Sequence, residues 1–198
     1  MLAHISGPTS PRLAWALWTA GFLAFPIAGL AGRAIVGHVD SLAAALVGGA
    51  VTGLVIGAAQ ALVAHPRLDP RRWIPATAIG MGLGLGLGAA LVGYGTSLPE
   101  LIGMGAVTGL IMGAAQAWAL PSAARPRWAW AAAMPALWAL AWTVTTVSGI
   151  DVEAQYTIFG VTGALTFSAL SGLLLYGLLR PRTHERPSEQ TAPRVLIG

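Results

Sequence analysis

Cysteine and lysine are both missing from this chain of 198 residues. The first absence excludes disulfides, thiolate metal sites and cysteine nucleophiles. The second leaves arginine as the source of all eleven basic side chains. Charge of either sign is scarce: 9% of residues are charged, against about 25% in an average soluble domain. Long polar stretches are confined to the C-terminal end. No HExxH, no Ser/His or Cys/His arrangement and no glycine-rich phosphate loop after a strand occurs, so no catalytic, cofactor-binding or metal-binding residue is named.

What fills the chain is apolar: 56% of residues are hydrophobic and the mean hydropathy is +0.70. Roughly 20 predominantly apolar residues carry a helix across a membrane. Six such stretches lie at about 13–36, 42–64, 73–94, 100–120, 128–148 and 156–179. The first is read as a membrane span rather than a cleaved signal, although small residues follow it at Ala28, Gly29 and Ala31. The expected fold is an all-α integral membrane protein, with one six-helix domain over residues 1–180 and a polar, flexible cytoplasmic tail over 181–198. Its helical hairpins fall at about 12–64, 72–120 and 127–180.

The arginines orient the chain. Ten of the eleven flank one side: Arg12, Arg67, Arg71, Arg72, Arg125, Arg127, Arg180, Arg182, Arg186 and Arg194, with Arg33 the exception. Arginine excess marks the cytoplasmic face, so both termini are expected inside. Trp15, Trp73, Trp118 and Trp128 fall near that same interface and are expected to anchor there. The net charge of +4 has no recognition motif behind it, so the partners expected are the lipid bilayer and its anionic headgroups, not nucleic acid. A membrane-protein partner or a homo-oligomer is also compatible with the pattern. Arginine without lysine, with much Ala and Gly, is the composition of a GC-rich bacterium, which points to a bacterial cytoplasmic membrane.

AVTGLVIGAAQA at 50–61 returns as AVTGLIMGAAQA at 106–117. Because the two copies are an even number of crossings apart, they point the same way, as in repeats related by an axis along the membrane normal. GVTGALTFSAL at 160–170 is a worn third copy, with Phe159, Phe167 and Leu170 where the others carry Gly, Gly and Gln. The expectation is three parallel-repeat hairpins.

On a helix, Gly49, Gly53, Gly57 and Gln60 fall within about 80° of one another, as do Gly105, Gly109, Gly113 and Gln116. Small residues at four-residue spacing let two membrane helices approach closely, and a Gln beside them can bond across the contact. Gly80, Gly84 and Gly88 form a further face of the third stretch, backed by Gly82 and Gly86, so that stretch should lie between neighbours, at the centre of the bundle. Thr52, Thr108 and Thr162 recur at similar depth. They can bond to their own i−4 carbonyls or, with Gln60 and Gln116, line a polar path. Asp40, Glu100, Asp151 and Glu153 precede or open the even-numbered stretches, where acids suit helix N-termini. Arg33 and His38 end the first stretch; Arg33 can reach outer headgroups or Asp40.

These G-x-x-x-G-x-x-Q hairpins, each followed by a Pro/Arg loop and a Trp-led helix, resemble those of small uncharacterised bacterial multi-pass membrane proteins over about residues 40–130. That resemblance implies no particular activity. The expected function is a non-enzymatic accessory, scaffold or assembly subunit packing through small-residue faces, with a passive channel for a small neutral solute as the alternative.

Overall fold

The computed structural model describes residues 10–153 and 160–179. All regular structure among them is helical: α1 (Pro11–Ala20), a 3-10 turn (Gly21–Leu23), α2 (Ala24–Val36), α3 (Leu42–Val63), α4 (Pro70–Leu91), α5 (Leu98–Ala119), α6 (Arg127–Val147) and α7 (Val161–Leu178). With α1, the turn and α2 counted as one 26-residue span, there are six helices, all long and apolar enough to cross a membrane. The polar tail, Phe159 and the arginines from Arg180 onward lie outside the described residues.

Local chemistry sets the helix starts. Ser10 and Ser41 accept from the Leu13 and Ala44 amides, and Asp69 accepts from the Arg71 amide at 3.0 Å. Ser97 and Glu100 close a capping box, the Ser97 amide donating to the Glu100 carboxylate at 2.8 Å. Of the other acids expected at helix starts, Asp40 yields the N-cap position of α3 to Ser41, and Asp151 and Glu153 lie ahead of Gly160, the N-cap of α7. Pro26 cannot donate to the preceding turn, and the first span tightens into its 3-10 turn just before that residue. Arg33 occupies the last turn of α2, where the helix dipole favours a cation, and both it and His38 are exposed.

The spans form a ring in chain order. Each packs on the spans before and after it, and α7 closes the ring on α1. At the arginine-rich end the Arg125 amide donates to the Leu178 carbonyl of α7, and Arg67 lies 5.6 Å from the centre of the Tyr176 ring on the same helix. Rows of large apolar side chains face outward; Leu62, for example, is 77% exposed. Water does not tolerate a continuous apolar surface of this kind, whereas hydrocarbon does.

Glycine permits the close approach. A Cβ on Gly49 or Gly53 would meet the Met81 carbonyl oxygen at 2.8 Å or that of Thr77 at 2.6 Å; on Gly57 it would meet Thr77 Cβ at 3.0 Å. The second copy packs α5 on α6 in the same manner: Gly105 faces Trp142, Gly109 the Met134 carbonyl and Pro135, and Gly113 the Met134 side chain. Gly80, Gly84 and Gly88 seat α4 on Met112, Thr108 and Met104 of α5, while Gly82 and Gly86 seat it on Leu46 of α3. Thus α4 is flanked on two sides, but Ile79, Leu83 and Leu87 are exposed, so it is a member of the ring and not its centre.

Candidate functional site

Inside the ring, the spans that enter from the arginine-rich end contribute most of the large aromatic side chains. Trp18, Trp73 and Trp130 meet in a triangle, with ring centres 6.3, 6.4 and 5.9 Å apart and edge-to-face geometry throughout. An indole carries a single donor and no acceptor, so burial obliges each N–H to find an oxygen. Trp73 donates to Gln60 at 3.0 Å, Trp130 to Gln116 at 3.1 Å and Trp18 to Ser171 at 3.1 Å. Because the indole can only donate, the Gln atom it meets must be the carbonyl oxygen. The Gln116 amide then donates to Thr77 at 3.0 Å, and Thr77 donates to the Trp73 carbonyl at 2.8 Å. The chain of bonds runs from α6 through α5 to α4.

This belt corrects three readings of the sequence. Trp73 is fully buried and bonded, not an interfacial anchor; Trp118 and Trp128, 72% and 69% exposed, do face outward. Trp15 is half-buried and donates to the Ala169 carbonyl. Leu170, aligned with the glutamines, is 38% exposed, and its neighbour Ser171 is the residue that reaches an indole. The reason is a rotated α7. Gly163 packs on Ala141 and Thr145 of α6, within the same hairpin, while Gly172 packs on Trp18 and Trp15 of α1. Each of the other two copies instead packs its glycine stripe on the helix that follows.

A second aromatic layer, Phe25, Trp138 and Phe167, lies beyond the triangle, with ring centres 6.5, 5.8 and 5.1 Å apart. Further along the axis a cavity of about 60 Å³ opens towards the end opposite the arginines. Val39, Gly95, Thr96 and Val152 of the connecting segments surround its mouth; Ile56, Met81, Leu101, Met104 and Trp142 form much of its wall. Two of the three recurring threonines, Thr52 and Thr108, are also part of that wall. Thr162 is not: it is exposed, because the rotation of α7 that buries Gly163 turns the preceding residue outward. No ring of three hydroxyls forms.

Nor do these two threonines bond to their own helices. Thr77, Thr143, Thr146 and Thr166 donate to i−4 carbonyls, whereas Thr52 donates across to the Ala28 carbonyl at 3.4 Å. Thr108 is 2% exposed and its hydroxyl has no partner. A buried hydroxyl without a partner costs about 1–3 kcal/mol. The buried polar side chains among the described residues are Gln60, Thr77, Thr108, Gln116, Thr145, Ser168 and Ser171. These side chains remain neutral across the physiological range, so they can orient a ligand but cannot exchange protons as a general acid or base. Among the described residues no three His, Asp or Glu side chains come together as a metal site.

No protein-family model, curated protein or solved structure matches the chain.

Proposed function

We propose that this chain is a non-enzymatic multi-pass protein of a bacterial cytoplasmic membrane, acting as an accessory or assembly subunit. The observation that carries the reading is the Trp18–Trp73–Trp130 triangle with its Gln60, Gln116 and Ser171 acceptors. The glutamines of the duplicated segment are spent on joining hairpins, and those hairpins are taken as parallel repeats with both termini on the cytoplasmic side. The arginine distribution supports that orientation. Since the glycine stripes are occupied within the chain, a partner would meet the outward apolar rows and the exposed Trp118 and Trp128.

The cavity beside Thr52 and Thr108 favours a second reading, a passive path for a small neutral solute. Two aromatic layers stand between that cavity and the arginine-rich end, which weighs against a path through the axis. Purification in mild detergent from its native membrane tests the accessory role. Stoichiometric recovery of another membrane protein is expected; a chain that runs as a bare monomer by native mass spectrometry and forms no cross-links in the membrane would remove the support for it.

A further inference from the structure

We propose that the cavity at the end opposite the arginines is a binding site for a small neutral amphiphile: a short apolar body bearing one hydroxyl or carbonyl oxygen. The proposal is independent of the accessory role, since a dead-end pocket neither requires nor forbids a protein partner.

Three observations carry it. The wall is apolar, with Phe25, Ile56, Met81, Met104, Trp138 and Trp142 among its members, and it contains no charged side chain. A charged ligand would lose its hydration there without compensation. The volume of about 60 Å³ matches roughly four to six water-sized groups, at about 10–15 Å³ each. Water itself fits poorly, because each buried water needs two to four polar partners and the side-chain hydroxyls deep in the wall are those of Thr52 and Thr108. Lastly, Thr108 is 2% exposed and its hydroxyl is unpartnered, whereas Thr77, Thr143, Thr146 and Thr166 each donate to a carbonyl one turn back. One oxygen on the ligand would satisfy this hydroxyl, while its carbon chain would replace empty space along the apolar wall. Val39, Gly95, Thr96 and Val152 place this end of the cavity at the level of the connecting segments.

Because the chain has no cysteine, a single introduced thiol reports without background. The test uses Thr52→Cys in the full-length protein in mild detergent, the small neutral reagent methyl methanethiosulfonate, and 1-butanol as the probe. Modification should proceed, and 1-butanol should slow it saturably. At Leu110→Cys, on the exposed face of α5, 1-butanol should have no such effect. Adding Thr108→Val to the reporter should raise the half-protecting concentration about three- to tenfold, the worth of one neutral hydrogen bond. The same substitution should leave the thermal midpoint unchanged or higher, because it removes an unpaired hydroxyl. The proposal is overturned if Thr52→Cys resists the reagent, if protection is absent or equal at Leu110→Cys, or if Thr108→Val leaves protection intact. A lower midpoint for Thr108→Val would also overturn it, by showing that the hydroxyl is held within the protein.

Discussion

Adding one methyl group at Gly109 should unfold this protein more readily, although the same change at Gly103 on the same helix should not. A Cβ on Gly109 would overlap the Met134 carbonyl oxygen and lie 2.7 Å from its carbon and 2.8 Å from Pro135 Cα. All three are backbone atoms of α6, so no rotamer change relieves the overlap and the two helices must separate. Overpacking of that kind costs about 1–3 kcal/mol, and rigid neighbours place this case near the top of the range. Alanine returns up to about 1 kcal/mol through its higher helix propensity. The expected net loss for Gly109→Ala is therefore about 2 kcal/mol. Gly103 lies on the same helix, and its nearest neighbour to an added Cβ is Val92 Cγ1 at 3.6 Å, an ordinary contact. Gly103→Ala should be neutral or stabilising. Reversible unfolding in mixed micelles, followed by tryptophan fluorescence, gives both values. Equal stability of the two variants would refute the argument that the duplicated glycines exist to bring backbones together.

Gln116→Leu should cost about 2 kcal/mol, since it strands both the Trp130 N–H and the Thr77 contact, whereas Gln60→Leu, which frees only the Trp73 N–H, should cost about 1. The double variant Gln116→Leu/Trp130→Phe should recover part of the loss in the same unfolding assay. Ser171→Ala should destabilise by about 1–2 kcal/mol through the buried Trp18 indole, while Leu170→Gln, which restores the residue of the other copies, should change stability by no more than a few tenths of a kcal/mol. Trp73→Ala should cost about 3–5 kcal/mol and Trp118→Ala much less, because only the first empties the interior.

The spans were legible because hydrocarbon imposes a length and an apolar composition that no other surroundings demand. The seating of Gly53 and Gly109 on the next helix follows from their spacing, which puts them on one stripe. The belt was harder to see. Trp73 sits at a predicted span end, where an indole ordinarily meets headgroups, and only its pairing with Gln60 reveals burial. One signal was available: Gln60 precedes Trp73 by 13 residues and Gln116 precedes Trp130 by 14, each pair facing across a short loop. The third acceptor was hidden because aligning Val161–Thr162–Gly163 with the other copies assigns the role to Leu170, and the rotation of α7 that brings Ser171 inward is a property of packing against α1 and α6. The cavity is likewise a gap left by side-chain volumes, which no local pattern records.

The central claim is that the duplicated Gly and Gln residues hold a closed bundle and do not line a path. Osmotic swelling of proteoliposomes in a glycerol gradient, followed by stopped-flow light scattering, tests it directly. The account predicts the permeability of protein-free vesicles, unchanged by Gln116→Leu. Protein-dependent glycerol entry that disappears in a folded Gln116→Leu variant would contradict it.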